Sequence, residues 1–108
     1  MTQKEFIKVL DWKNYSYEIE GDKIIVTYKD RVDLRDLTSL PPGVVFSNEG
    51  SVRLRSLTSI SPGVEFKNEG SVRLDALIGG WFNDWKGNIE GIEGKRLLNF
   101  MIKRGMFI

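Results

Sequence analysis

The sequence predicts an α+β protein, mostly β, in which a short parallel β-solenoid is closed by an N-terminal helix-hairpin cap and a C-terminal helical cap. Two observations support this fold class: a 20-residue unit that repeats in the middle of the chain, and helical apolar patterns at both ends. Repetition at such a period is typical of stacked architectures, in which each unit buries its apolar face against the next. We expect one domain over residues 1–108, divided into a first cap (1–30), the repeats (31–77) and a second cap (78–108).

The repeat is visible by direct alignment. Residues 31–50 and 51–70 align without a gap and are identical at 13 of 20 positions, and a third copy runs from Ser71 to Leu77. In each full unit apolar residues alternate on both sides of a Pro-Gly turn, which is typical of two short, half-buried strands. In the second unit these residues are Val52, Leu54, Val64 and Phe66.

The 20-residue spacing of equivalent apolar residues predicts two ladders of parallel strands. Ile24 and Val26 lie 20 residues before Val44 and Phe46, so the segment before the first full unit supplies a further half coil. Neighbouring rungs are expected about 4.8 Å apart. We expect Asn68-Glu69-Gly70 to close the coil, since Asn and Gly tolerate positive φ with little strain. The first ladder stacks Val32/Leu34, Val52/Leu54 and Val72/Leu74, and the second stacks Ile24/Val26, Val44/Phe46 and Val64/Phe66.

The N-terminal cap combines a helix with a hairpin. Thr2 and Glu5 have the spacing of a capping box, and the apolar residues behind them recur at helical intervals, which predicts a helix over about 3–12. Tyr15 to Ile19 alternates as a strand, and Glu20 to Asp22 is typical of a hairpin turn.

The C-terminal cap combines an aromatic cluster with a second helix. Trp81, Phe82 and Trp85 are expected to plug the open end of the stack, with a partner-binding hot spot as the alternative. A glycine-rich link over 87–94 then leads into a helix over 95–104. Its expected apolar face is Leu97, Leu98, Met101 and Ile102.

The repeated pattern L-T-S-(Leu/Ile)-x-P-G-V-x-F-x-N-E-G-x-V-x-L, over 37–54 and again over 57–74, resembles short leucine-rich-repeat-like solenoids. It is similar in particular to a group of uncharacterised bacteriophage and bacterial proteins with variable numbers of such units. This resemblance covers most of the chain and implies a non-catalytic binding surface. A phage source further implies an inhibitor of a host defence or nucleic-acid-processing complex, acting in the host cytoplasm. The Val and Phe at several consensus positions depart from standard leucine-rich repeats.

Composition excludes several classes of function. The chain has no Cys and no His, which excludes disulfide scaffolds, the usual zinc and haem sites, and Ser-His or Cys-His catalysis. We therefore expect no enzymatic activity, no cofactor and no small-molecule substrate. No apolar run approaches the roughly 20 residues of a membrane helix, so we expect a cytoplasmic protein with no membrane partner. The 16 basic and 15 acidic residues nearly balance, which favours a protein partner over a nucleic acid.

Four arginines are the candidate partner-binding residues. Arginine binds carboxylates and phosphates bidentately, so outward arginines on the first ladder suit an acidic protein surface or a nucleic-acid backbone. The alternative is that Asp33–Arg53 and Arg55–Asp75 form cross-strand ion pairs that only support the sheet. The like-charged neighbours Arg53 and Arg73 have no evident structural benefit, which favours binding. The candidates are Arg35, Arg53, Arg55 and Arg73.

Two further features leave alternatives open. Ile25 and Val45 face outward on the second ladder, and we expect the N-terminal helix to cover them through Phe6 and Leu10, with a partner protein as the alternative cover. Parallel edges at the ends of the stack would also allow self-assembly, which the helical caps disfavour.

Overall fold

The computed structural model describes residues 1–78 and 88–107, which form an α+β fold of three helices and eight short strands. In chain order the elements are α1 (Gln3–Trp12), β1 (Tyr17–Glu20), β2 (Lys23–Val26), β3 (Val32–Asp33), β4 (Val44–Phe46), β5 (Val52–Arg53), β6 (Glu65–Phe66), β7 (Val72–Arg73), α2 (Asp75–Ile78), β8 (Asn88–Ile89) and α3 (Gly91–Lys103). The strands form two four-stranded sheets, ordered β1-β2-β4-β6 (sheet A) and β3-β5-β7-β8 (sheet B).

The repeat period sets the strand register of both sheets. Val32, Val52 and Val72 pair in one parallel row of sheet B, and Ile24 pairs in parallel with Val44 in sheet A. Each of these pairings joins residues 20 apart in the sequence, so the predicted ladder register is confirmed. The end strands β1 and β8 pair antiparallel with β2 and β7, which makes both sheets mixed.

The strands are shorter than a mostly β fold implies. Each has two to four residues, whereas α1 has 10 and α3 has 13, so helices hold more of the described residues than strands do. The chain turns away from each sheet after one or two inward residues, as at the bend where Leu37 N–H donates to Leu34. Within each repeat unit the strands therefore fix the position and register of the chain, and the turns contain most of the unit's residues.

Inward residues of both sheets form a single core. All twelve ladder residues predicted to face inward are at most 2% exposed. The rings of Phe46 and Phe66 stack with centroids 5.1 Å apart and planes within 6°. Full burial of each such side chain contributes about 1.5–3 kcal/mol, so the ladders are the main source of stability.

Helix α1 begins as its sequence predicts, but its apolar face packs against a different side of sheet A. The Thr2 hydroxyl accepts from the Glu5 N–H at 3.1 Å and the Glu5 carboxylate accepts from the Thr2 N–H at 3.1 Å, which completes the capping box. Phe6 and Leu10 are fully buried, but they join the core that contains Ile24 rather than cover the outward face of sheet A. The expected cover for Ile25 and Val45 is therefore wrong, because the apolar face of α1 caps the inside of the stack.

The C-terminal helix differs from its prediction at its start and on one face. It begins at Gly91 rather than Lys95, and the preceding Ile89 pairs in sheet B. The glycine-rich sequence there allows close packing, since a Cβ on Gly94 would lie 3.1 Å from Ile89 Cγ2. Leu97 is 43% exposed, so it does not belong to the buried face. The predicted Trp81–Trp85 cluster lies outside the described residues.

Side chains replace the missing neighbours at the edges of the sheets. At the C-terminal edge of sheet A, the Asn99 amide accepts from the Phe66 N–H at 2.8 Å and donates to the Phe66 carbonyl at 2.9 Å. At the N-terminal edge of sheet B, the Tyr15 hydroxyl accepts from the Asp33 N–H at 3.0 Å. These contacts satisfy edge groups that would otherwise be free to pair with another chain.

A buried polar column runs beside the strands. The Asn48 side-chain amide donates to the carbonyls of Asp30, Gly50 and Ser51, and Asn68 repeats this pattern 20 residues later. The Lys95 ammonium ends the column by donating to the carbonyls of Asn68 and Gly70. Each repeat unit is thus tied to the next by side-chain hydrogen bonds to backbone carbonyls, several of which, such as those of Gly50 and Ser51, also accept from a backbone N–H.

Of the helices that the structure describes, none is long and apolar enough to cross a membrane.

Candidate functional site

The outward side of sheet B carries a regular array of polar residues, which we call the arginine face. Its positions alternate with the buried valines and leucines of the ladder, and they continue into the residues just beyond each short strand. Neighbouring rungs in such a sheet lie about 4.8 Å apart, and successive outward residues on one rung about 6.6 Å apart. The three rungs are Arg31, Asp33 and Arg35; Ser51, Arg53 and Arg55; and Ser71, Arg73 and Asp75.

All four arginines predicted as partner-binding residues lie on this face, in two neighbouring columns. Arg53 and Arg73 are cross-strand neighbours in the sheet B register, next to Asp33. Arg35 and Arg55 lie one step further along their rungs and are more exposed, at 60% and 48% of their side chains. The face therefore groups the predicted residues on one surface.

A fifth arginine on the same face, Arg31, was not among the predicted residues. It is exposed at the start of the first rung, two residues before Asp33. The repeat alignment contained the signal, since Arg31 aligns with Ser51 and Ser71 in the column before Arg53. With five arginines and two aspartates, the face has a net charge of 5 − 2 = +3 in a chain whose total is +1.

One aspartate of the face holds two arginines. Asp75 Oδ2 accepts from Arg55 Nε at 2.8 Å and from Arg73 Nη2 at 3.2 Å. The predicted Arg55–Asp75 cross-strand pair is therefore present. Desolvation raises the pKa of Asp75, but the hydrogen bonds from both guanidinium groups outweigh it, so this pKa lies below its ordinary value.

The predicted Asp33–Arg53 ion pair does not form. Asp33 instead pairs within its own rung, accepting from the Arg35 N–H at 3.2 Å and lying 3.5 Å from Arg35 Nε. Within residues 1–78 and 88–107, Arg53 has no ion pair or side-chain hydrogen bond. Arg53 is a half-buried residue at the centre of the face, between Asp33 and Arg73 in the strand register.

This arrangement leaves Arg53 available for an external acceptor. A guanidinium offers five N–H donors in a planar fork, which matches the two oxygens of a carboxylate or phosphate. Arg73 shares its carboxylate with Arg55, so one charge on Asp75 offsets two arginines. An anion bound at Arg53 and Arg73 would therefore supply the negative charge that the face lacks.

The described residues contain no group of three or more Asp and Glu side chains that could hold a metal ion. Comparison of the chain with protein-family models, with curated proteins and with solved structures found no match.

Proposed function

We propose that this chain is a short, capped, leucine-rich-repeat-like solenoid that acts as a non-catalytic protein-binding module through its arginine face. The ligand is an acidic surface of a protein partner, whose carboxylates pair with Arg53 and Arg73 and, at the margin, with Arg35 and Arg55. The observation that carries the proposal is that Arg53, at the centre of the face, has no ion pair among residues 1–78 and 88–107, because the neighbouring Asp33 pairs with Arg35 instead.

Physical reasoning supports a binding role for this face. A like-charged pair of cross-strand neighbours destabilises a sheet by up to about 1 kcal/mol. A partner carboxylate removes that penalty on binding, and it accepts charge-assisted hydrogen bonds, which are about twice as strong as those between neutral groups. The absence of Cys and His supports binding rather than catalysis, since these residues perform most nucleophilic and acid–base chemistry.

The proposal extends to a biological setting through the resemblance of the repeat unit to phage and bacterial sequences. In that setting the protein acts in the host cytoplasm and inhibits a host defence or nucleic-acid-processing complex by occupying a surface of it. This part rests on the likeness of the repeat pattern alone, and on no feature of the site.

The experiment is affinity capture from bacterial lysate followed by mass spectrometry, with three versions of the chain. The wild type is expected to retain one defined partner that Arg53→Glu/Arg73→Glu loses. Arg96→Glu/Lys103→Glu is the matched control, because it reverses two exposed charges on α3, away from the face. Thermal unfolding of each variant establishes that it is folded. Equal capture by Arg53→Glu/Arg73→Glu and the wild type would contradict the proposal.

A second candidate function is binding to a nucleic-acid backbone through the same guanidinium groups. The net charge of +3 on the face supports it, since phosphates at the spacing of a single strand could bridge neighbouring rungs. A gel shift at several salt concentrations separates the two functions. A complex with DNA or RNA is expected to form at low salt and to weaken steeply as the salt concentration rises, whereas a chain that binds only a protein partner forms no such complex at any salt concentration. Absence of any complex with DNA or RNA at low salt would exclude the nucleic-acid function.

A further inference from the structure

A polar cleft opens where the arginine face meets the N-terminal cap. Its volume is about 670 Å³, large enough for one or two sugar rings. Two aromatic rings form one side of the cleft, and hydrogen-bonding side chains form the rest. Among the described residues, no aliphatic side chain lines the cleft. The lining residues are Tyr15, Tyr28, Asp30, Arg31, Asp33 and Ser51.

The aromatic side of the cleft is held in place without any ligand. The rings of Tyr15 and Tyr28 lie with centroids 4.9 Å apart at a tilt of 55°, and both pack against the core. The Tyr15 hydroxyl accepts from the Asp33 N–H at 3.0 Å, and the Tyr28 carbonyl accepts from the Glu49 N–H at 3.1 Å. A ligand would therefore meet walls that lose little further freedom on binding.

The polar side of the cleft offers both donors and acceptors. Asp30 Oδ1 accepts from the Arg31 N–H at 2.7 Å, while its other carboxylate oxygen has no partner within the described ranges. In those same ranges the Arg31 guanidinium and the hydroxyls of Tyr28 and Ser51 are also without a side-chain hydrogen bond. The cleft thus has a free carboxylate oxygen, a free guanidinium and two free hydroxyls.

The charges of the cleft balance locally. Asp33 is paired with Arg35, and the carboxylate of Asp30 faces the same space as the guanidinium of Arg31. An anionic ligand would lie beside the negative charge of Asp30, and a cationic ligand would lie beside the positive charge of Arg31. Either ligand would therefore be repelled by one of the two groups. A neutral ligand with several hydroxyls satisfies both groups, because each hydroxyl donates and accepts.

We propose that this cleft binds a neutral carbohydrate. In this arrangement adjacent ring hydroxyls bridge Asp30 and Arg31, a further hydroxyl reaches Ser51, and the C–H face of the sugar lies against the ring of Tyr28. The cleft shares Arg31, Asp33 and Ser51 with the arginine face but uses none of the four predicted arginines, so this inference and the proposed protein-binding function can be tested separately.

The test is a titration followed by ¹H–¹⁵N NMR, with maltose, cellobiose, lactose and chitobiose as neutral probes. At least one disaccharide is expected to give saturable shifts confined to residues around the cleft. Asp30→Ala is expected to weaken that binding about tenfold or more, as for loss of a hydrogen bond to a charged group. Ser51→Ala removes the hydroxyl that the sugar reaches in this arrangement and is expected to weaken the binding about three- to tenfold.

Matched controls keep the result interpretable. Asp22→Ala removes an exposed turn carboxylate and Trp12→Ala removes an exposed aromatic ring, and both should bind like the wild type. Arg53→Glu/Arg73→Glu should also retain sugar binding, which separates this inference from the protein-binding proposal. Absence of saturable shifts in the wild type with all four probes would overturn the inference, as would shifts that map away from the cleft. Preferential binding of methyl phosphate or arginine amide would overturn it too, by assigning the cleft to a charged ligand.

Discussion

At the scale of single residues, the repeated asparagines have a different role from the one their sequence context predicts. Asn68-Glu69-Gly70 is expected to be a turn with positive φ, yet neither Asn48 nor Asn68 has positive φ, and both are buried with their amides on three carbonyls. An Asn beside Gly is common in turns, so local sequence favours the turn interpretation. Its recurrence every 20 residues is the signal that indicates a buried column instead.

We expect Asn48→Ala to be strongly destabilising. The substitution removes the side-chain donor to the Asp30 carbonyl, whereas the carbonyls of Gly50 and Ser51 still accept from the N–H groups of Gly70 and Val32. One buried group left unsatisfied costs about 1–3 kcal/mol, so a loss of about 1–3 kcal/mol in the free energy of unfolding is expected from denaturant titration. The neighbouring exposed Ser47→Ala should change it by no more than about 0.5 kcal/mol. Similar small effects of both substitutions would contradict a structural role for the column.

Lys95, which ends this column, provides a prediction about pH. Burial lowers the pKa of the Lys95 ammonium, and the nearby Glu69 carboxylate offsets part of the effect. The unfolded chain, with a Lys pKa near 10.5, then binds more protons than the folded chain between the lowered value and 10.5. The free energy of unfolding should therefore rise with pH in that window.

The measurement compares the wild type with Lys95→Met, because other groups titrate equally in both. As the pH increases toward 10.5, the wild type should gain stability relative to Lys95→Met. A difference that stays constant, or that falls over this range, would show that the ammonium carries no desolvation penalty in the folded chain.

At the scale of elements, the spacing between consecutive repeat units depends on glycine. A Cβ on Gly50 would lie 2.5 Å from the Arg31 nitrogen, and one on Gly70 would lie 2.4 Å from the Ser51 nitrogen. Neither glycine has positive φ, so they are needed for the close approach of neighbouring backbone segments rather than for turn conformation. The repeat predicts where these glycines occur, but only the stacked backbone explains them.

Gly70→Ala should consequently separate two coils and destabilise the fold by about 2 kcal/mol or more, within the range of severe core overpacking. Gly63→Ala is the matched comparison, since its nearest contact would be 3.1 Å, to the Gly43 nitrogen. Its expected effect is smaller, and thermal unfolding of both variants measures the difference. Equal losses of stability in the two variants would indicate that Gly70 does not set the distance between consecutive repeat units.

The elements outside the repeat were harder to predict than those inside it. Strand register within the repeat follows from its period, because identical residues must occupy equivalent places in successive rungs. No such constraint applies to β8, which pairs antiparallel with β7. None applies to the start of α3 either, where Gly91 and Gly94 lie within the helix. Leu97 fits an apolar helical face by spacing, yet the core contains the other three predicted residues, Leu98, Met101 and Ile102, and not Leu97. The end-capping contacts of Asn99 and Lys95 are tertiary, so their sequence positions carry no local signal.

At the scale of the whole molecule, the arginine face is a product of the repeat register. Stacking equivalent positions places Arg53 beside Arg73 and Arg55 beside Asp75. Because Asp33 pairs with Arg35, Arg53 has no ion pair within the part of the chain that the structure describes. These columns can be predicted from the sequence. The ion pair between Asp33 and Arg35 cannot, because it depends on the turn after β3. The positions of the arginines on the face therefore follow from the sequence, whereas the ion pairs that they form are defined only by the folded structure.

The central claim is that each 20-residue unit forms one rung and adds its arginines to one binding face. It is tested most directly by duplicating residues 51–70 in tandem and measuring the affinity of the longer chain for poly-L-glutamate at fixed salt. The added rung brings one more copy each of Arg53 and Arg55, and its neighbours keep their register. We expect a cooperatively folded chain that binds poly-L-glutamate more tightly than the wild type, with the gain lost when the added pair is changed to Gln. A duplicated chain that does not fold, or one that folds and binds no more tightly, would contradict the claim.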